Sequence, residues 1–421
     1  MTGAGGTQTP AAPVPLRRNR GFRLLWIGQI LSDTGSEVTF LAYPLLILAL
    51  THSPVIAGVV GTGTSIAGLC LRLPAGALAD RLDRRLTLIV CDSLRAGVLA
   101  LLGVLVLLHQ VNWPIVLIVA LIDKGANTIF DPAANAALPA IVADEQLEEA
   151  WVAIEGRGYA AGLVGPALGG VLFSLARAVP FLTDAASYAV SVGTVSRIRG
   201  RFRPDHAVER KRLWHEVTEG LRFVWAQPIL RAILMQAPLV NFAFNGVIFG
   251  ITLGLRKHGT SAEVIGLVQA GIAAGGLVGA FVASWLQRLR LSVMVIVVCF
   301  SGAVLFGVSA LLMPSPFVAL PVALAVLLSP AANAGLFAVM LRFTPEEMRG
   351  RVSNTVMMLA TGLAALAPLI AGLLIEHVSV RWAIGAFALV MVAASILAAV
   401  LPGVRKAEAL SREASEDAAT Q

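Results

Sequence analysis

The chain has 421 residues, of which 57% are hydrophobic and only 14% charged, with a formal net charge of +7. A soluble globular chain carries about 25% charged residues, so this composition excludes that class and points to an all-α integral membrane protein. The positive balance is no sign of nucleic-acid binding, because the basic residues sit in short stretches between apolar runs.

A helix that crosses a bilayer takes about 20 mostly apolar residues. That length selects twelve transmembrane helices, over residues 24–50, 54–78, 86–108, 113–138, 152–175, 180–196, 229–255, 262–286, 291–313, 317–341, 352–375 and 381–401. Residues 1–20 form a Gly/Ala/Pro-rich tail without an apolar core, so disorder and no cleavable leader are expected there. Residues 21–200 and 229–404 then make two pseudo-symmetric six-helix bundles, joined by 201–228 and followed by a second tail, 405–421. In the joining segment Leu213, Val217, Leu221 and Val224 recur at helical spacing among charges, which predicts an amphipathic helix lying on the membrane face.

Orientation follows from arginine and lysine. Arg17, Arg18, Arg20, Arg23, Arg81, Arg84, Arg85 and the basic run from Arg197 all fall on one side, with Arg288, Arg290, Arg342, Arg349 and Arg351. The other side holds only Arg177, Arg256, Lys257 and Arg381. Both termini are therefore expected in the cytoplasm. Arginine outnumbers lysine, which hints at a GC-rich bacterial genome and the bacterial cytoplasmic membrane.

The two parts look like copies. Asp144-Glu145 precedes, and Gly165-Pro166-Ala167-Leu168-Gly169-Gly170 lies in, the fifth run. Pro345-Glu346-Glu347 and Ala367-Pro368-Leu369-Ile370-Ala371-Gly372 stand in the same relation to the eleventh. A charged hairpin after the second run, from Gly76 to Arg85, has a worn counterpart near Gly279 to Arg290. Internal repeats with a midplane site are the architecture of secondary transporters. The cysteines lie in apolar runs and the histidines in or beside loops, so neither a disulfide framework nor a metal site is expected. No cofactor is expected either. The chain lacks a Gly-Lys-Ser/Thr phosphate loop and any nucleophile–base cluster, which argues against ATP hydrolysis and against an enzyme.

The hairpin resembles the loop between the second and third helices of the major facilitator superfamily, with Gly76, Asp80, Arg81, Arg84 and Arg85 on the family pattern. Asp83 stands where the second glycine of that pattern falls. Gly165-Pro166-Ala167-Leu168-Gly169-Gly170 resembles the antiporter motif of the fifth helix, although Ala161 occupies an upstream glycine position; packing alone is the competing reading. With Asn19-Arg20-Gly21-Phe22 and Arg349-Gly350-Arg351-Val352, the chain is similar to the exporter branch that includes macrolide efflux pumps and enterobactin exporters. The resemblance implies a monomer in membrane lipid that exports small organic molecules in exchange for protons. A narrow exporter of one metabolite, such as a siderophore, is the alternative. It also implies that the hairpin residues and Gly165, Pro166, Gly169 and Gly170 control conformational switching.

Ionisable groups inside a membrane are functional candidates, because each costs at least about 2.5–3.5 kcal/mol to insert. Asp33 and Glu37 share one face of the first helix; Asp123, Lys124, Asn127 and Asp131 follow one another on the fourth. In the superfamily the first, fourth, seventh and tenth helices line the cavity. Its wall is therefore expected to hold Asp33, Glu37, Asn127, Asn241, Phe242, Phe244, Asn245, Asn333 and Phe337, a surface suited to amphipathic or cationic molecules. Asp33 and Lys124 both fall near the midplane and are expected to pair. Asp33 is then the first proton acceptor, before Glu37 and Asp123; a static pair that only holds helices together is the competing reading. Asp92 and Arg95 are expected to neutralise one another, Arg72 to snorkel, and Glu155 and Arg157 to join a network around the hairpin.

Overall fold

The computed structural model describes residues 15–79, 81–198, 213–286 and 290–400. Asp80, the two tails before Pro15 and after Val400, the basic start of the central segment and residues 287–289 of the worn hairpin lie outside them. Among the described residues the regular structure is entirely helical. Helix α1 (Arg20–Thr51) has 32 residues and measures roughly 48 Å at about 1.5 Å per residue, more than a bilayer core of about 30 Å. It is followed by α2 (Pro54–Ala79), α3 (Arg84–Leu107), α4 (Trp113–Ala137), α5 (Leu147–Leu175) and α6 (Val179–Val195). After the central α7 (Leu213–Ala226) come α8 (Pro228–Lys257), α9 (Ala262–Leu286), α10 (Leu291–Leu312), α11 (Ala319–Leu327), α12 (Ser329–Arg342), α13 (Arg349–Gly362), α14 (Ala367–His377) and α15 (Val380–Val400).

Local chemistry sets the helix starts. Asn19, Asp83 and Asn112 accept hydrogen bonds from the backbone N–H groups of Phe22, Leu86 and Ile115 at 3.1, 3.1 and 3.2 Å. The aspartate that replaces a family glycine in the hairpin thus caps α3. Among the described residues eleven helical stretches are long and apolar enough to span a membrane, two of them formed by consecutive helices, Pro316–Arg342 and Arg349–His377. The sequence reading treats each of these two as one unbroken helix. The structure breaks them at Leu328 and over Leu363–Leu366, just before Pro330 and Pro368, because proline cannot donate to the preceding turn. Helix α6 has 17 residues and is not among the eleven.

In the first part of the chain α1 packs on α5 and α6, α3 on α4 and α6, and α2 on α4. In the second, α8 packs on α14 and α15, α10 on α15 and α11, and α9 on α11. The two parts meet mainly through α5 against α9 and α2 against α14. Large apolar side chains such as Phe281, Leu311 and Phe317 remain over three-quarters exposed, a surface that only lipid or a partner covers. The predicted amphipathic helix is α7; its Val224 is buried with Leu230, Met340 and Val352, and Arg351 donates to Glu219 at 2.8 Å.

Candidate functional site

The charges embedded in the apolar helices meet in the first part of the fold. Arg95 of α3 is buried. Its Nε pairs with Asp123 Oδ1 at 2.8 Å, one terminal nitrogen donates to Asn127 Oδ1 at 2.9 Å, and the other to Ser36 at 3.3 Å. The guanidinium also stacks over the Tyr188 ring at 4.0 Å, and the Tyr188 hydroxyl shares a 2.7 Å hydrogen bond with Ser36. This corrects the expected Asp92–Arg95 pair. A planar fork with five donors is satisfied by α4, α1 and the α6 ring together, which a single carboxylate on its own helix cannot match. Asp92 lies against Ser191 of α6 without a well-formed hydrogen bond.

Asp33 pairs with Arg157 of α5, Nε to Oδ2 at 2.8 Å, and Arg157 also donates to Gln29. The expected Asp33–Lys124 pair is not formed. Helix α5 packs far more extensively on α1 than α4 does, so Arg157 reaches the carboxylate first. Lys124 instead lays its chain on α2, where a Cβ added at Gly68 would stand 2.8 Å from its Cε. Arg72 is exposed, as a snorkelling residue is.

A cavity of about 420 Å³ opens between α1, α2, α5, α8, α9, α11 and α14, within the roughly 300–1,000 Å³ of small-molecule sites. Glu37 is the carboxylate in its wall. Phe40 and Tyr43 of α1, Asn245 and Phe249 of α8, and Gln269 of α9 add the aromatic and amide surface. Of the wall expected from sequence, only Glu37 and Asn245 line it. Asp33 and Asn127 are engaged by Arg157 and Arg95. Asn241 donates to Ala360 of α13 at 3.2 Å. Phe242 and Phe244 turn away, their rings against Phe387 and Phe306 at 5.3 and 5.0 Å. The reason is helical phase: Asn241, Asn245 and Phe249 repeat every four residues on one face, and residues 242 and 244 fall on others. Asn333 and Phe337 are exposed on α12, away from this wall.

The small-residue stretch of α5 touches two helices within one turn. A side chain at Gly165 would overlap Glu37, and one at Gly169 would come within 3.1 Å of the Val38 backbone on α1. Gly170 and the Pro166 carbonyl lie against Ala262 and Gly266 of α9. On α2, Gly58 faces the Pro368 carbonyl, and Thr62 accepts from Leu369 N at 3.0 Å. Glu376, at the end of α14, accepts from Ser53 Oγ at 2.5 Å and Val55 N at 3.0 Å, capping α2 from the other part of the chain. All these contacts lie on the half of the membrane opposite the α1 N-terminus. On the half nearer that terminus, Gly76, Gly156, Gly158 and Gly350 face open space. The close contacts between the two parts of the chain are gathered on the far half. In the hairpin on the half nearer the α1 N-terminus, Arg84 and Arg85 donate to the carbonyls of Ala136 and Ser196, at the ends of α4 and α6, and Arg81 is exposed.

Phe40, Phe249 and Gln269 of the wall carry no sequence expectation, and neither do Tyr43, Asp184, Tyr188 and Glu376. Asp184 is fully buried on α6 and accepts from Ser187 at 3.1 Å. An acid inside an apolar run was the available signal for it. The chain has only three tyrosines, and two of them contact the Arg95 network, Tyr43 through a long 3.5 Å contact to Asp123.

The family model for transmembrane secretion effectors matches residues 9–421. The multidrug efflux pump Tap of Mycolicibacterium fortuitum is 27% identical over 407 residues, which cover 92% of this chain and 97% of Tap. The enterobactin exporter EntS of Citrobacter koseri is 24% identical over 340 residues, 80% of this chain and 81% of EntS. Among solved structures, an inward-facing bacterial homologue of the iron transporter ferroportin superposes with a TM-score of 0.71 at 16% identity, covering 91% of this chain and 98% of that one. Its outward-facing counterpart gives 0.58 at 19% identity, covering 92% and 99%.

Proposed function

The chain belongs to the transmembrane secretion effector family of the major facilitator superfamily, and we propose that it is a twelve-helix secondary exporter driven by proton antiport. In this reading α6, at 17 residues just inside the roughly 17–25 that a span takes, is the twelfth span. Residues 20–198 and 228–400 are the two bundles, and the face nearer the α1 N-terminus is cytoplasmic. The asymmetry of arginine and lysine supports that orientation, as do the hairpin arginines at that face. Close contacts gathered on the far half correspond to one of the two states of alternating access. Gly76, Asp80, Arg81, Arg84 and Arg85 at one face, and Gly165, Pro166, Gly169 and Gly170 at the other, are the switching elements.

The observation that carries the reading is Glu37, a carboxylate in an apolar, aromatic cavity, seated against the same turn of α5 that seals the far side. A group there can exchange a proton for a substrate amine, and either event shifts the helix that holds the seal. Asp33, Asp123 and Lys124 form the rest of the coupling set, with Asp33 and Asp123 ion-paired to Arg157 and Arg95. Substrates are amphipathic organic molecules, and the likeness to EntS supports a single-metabolite exporter as the second reading.

The test is transport by purified protein in liposomes with an imposed proton gradient and a panel of amphipathic compounds. The expected result is accumulation of at least one compound that collapses when a protonophore is added. Accumulation of none, with the protein folded, overturns the reading.

A further inference from the structure

Among the described residues, two charged groups near the cavity, Glu37 and Lys124, are engaged by no neighbouring side chain. Asp33 is held by Arg157, Asp123 by Arg95, and Asp131 accepts from Asn127 at 3.4 Å. Among the described residues, Glu37 and Lys124 form no hydrogen bond from their charged atoms and no ion pair. They are nonetheless within electrostatic reach of each other, and Lys124 is also within reach of Asp131. Opposite charges in an apolar setting, close enough to attract yet not in contact, leave a gap suited to a group that touches both.

The surroundings say where that gap lies. Lys124 is exposed, and its alkyl chain lies flat on α2 at Gly68. Gly68 is one turn beyond Thr64 and Ser65, which line the cavity together with Glu37. Across the cleft Gly162 of α5 also lines the cavity, and both it and Gly158 face open space. The lysine stem therefore lies one turn of α2 from the cavity wall, and the carboxylate is in that wall. Phe40 and Phe249 lie beyond, ready for an apolar body.

We propose that the cleft takes a dipolar headgroup, an amine against Glu37 and a carboxylate or other oxyanion against Lys124, so that the exported molecules are amphipathic zwitterions. The inference rests on the export reading and deepens it. A simple lipophilic cation satisfies Glu37 but leaves the Lys124 ammonium without a contacting group, with Asp131 only within electrostatic reach, and a simple anion leaves Glu37 unmatched. The positioning of Lys124 depends on Gly68, because any side chain there displaces the lysine stem.

Three dansyl probes of matched length separate the possibilities: dansylcadaverine (cation), Nε-dansyl-lysine (zwitterion) and dansyl-6-aminohexanoate (anion). Binding to purified protein in nanodiscs is read by dansyl fluorescence. Wild type is expected to bind the zwitterion about tenfold tighter than either singly charged probe. Lys124→Gln should lower zwitterion affinity about tenfold while keeping affinity for the cation, which also shows that the variant is folded. Lys124→Arg should restore most of the preference, and Glu37→Gln should abolish cation binding. Equal binding of the three probes by wild type overturns the proposal, as does an unchanged zwitterion-to-cation ratio in Lys124→Gln, or no binding of any probe. Everted vesicles carrying the protein provide the second arm. If the zwitterion binds with the expected Lys124 dependence but no probe is transported, the export reading fails and the headgroup site stands. If probes are transported without a preference for the zwitterion, the headgroup site fails and export stands.

Discussion

The two parts of the molecule, residues 20–198 and 228–400, share a helical plan but not a chemistry. The first embeds Asp33, Glu37, Asp92, Arg95, Asp123, Lys124, Asp131, Arg157 and Asp184 in its apolar helices. In the second, the apolar stretches between Arg231 and Arg256, between Glu263 and Leu286, and from Leu291 to Leu341 contain no Asp, Glu, Lys, Arg or His. Its interior is joined by amides and rings: Gln236 to Cys299 at 3.0 Å, Asn241 to Ala360, Phe242 to Phe387 and Phe244 to Phe306. What the repeat conserves is therefore packing, through proline and small residues at matching places in α5 and α14. Charges embedded deep in the apolar helices are concentrated in one part. The difference supports the proposal that charge movement belongs to the first part, with the second as an apolar wall beside it.

Substitutions that treat the two parts alike should expose this asymmetry. The largest effect is expected from Arg95→Leu. It leaves the half-buried Asp123 without its cation, and breaking a buried pair costs about 3–5 kcal/mol. Thermal unfolding in detergent should show a collapse in stability, whereas Arg95→Lys should recover only part of it because an ammonium cannot reach Asp123, Asn127 and Ser36 together. Wild-type stability in Arg95→Leu would mean that the network is not a structural element.

Gly169→Leu comes next. The new side chain meets the Val38 backbone, so α1 and α5 must separate just where α5 also touches α9. Loss of accumulation with substrate binding retained is the expected outcome in proteoliposomes. Wild-type coupling would reduce this stretch to generic packing.

Glu376→Ala removes a cap that one part of the chain supplies to a helix of the other. Caps are worth about 0.5–2 kcal/mol, so the expected change is a population shift of several-fold, not unfolding. A cysteine placed at the far end of α2 should become more reactive to an impermeant maleimide added on that side. No change in reactivity would remove Glu376 from the seal. The smallest effect is expected from Gln236→Leu in the second part, which trades one amide–thiol contact for apolar contact and should cost under about 1 kcal/mol by thermal unfolding. A loss as large as that of Arg95→Leu would erase the distinction between the two parts.

Most of the architecture was legible in the sequence, because membrane spans announce themselves by length and apolarity. Neither helix breaks nor side-chain pairing do so. Pro330 and Pro368 were visible, but a proline can bend a helix or interrupt it, and the local contacts decide which. The Asp33–Lys124 and Asp92–Arg95 pairs followed from depth and helical spacing, which hold no information on how closely neighbouring helices approach. Glycines let α5 lie close to α1, and that proximity gave Asp33 to Arg157. Phe242 and Phe244 were placed in the cavity by sequence proximity to Asn241 and Asn245, and helical phase put them in the packing instead. Glu37 and Asn245 were legible because they share that phase with the cleft. Asp184 was masked by its position near the start of a short helix, where an acid reads as an end residue.

Transport by Glu37→Gln in proteoliposomes, with an imposed proton gradient and varied pH, tests the coupling role of this carboxylate most directly. Glutamine keeps the size and polarity of the side chain but can neither take up nor release a proton. The expected result is loss of uphill accumulation and of its pH dependence, with downhill movement of a neutral amphipathic substrate retained. A variant that still concentrates substrate against its gradient with the pH profile of the wild type would contradict it.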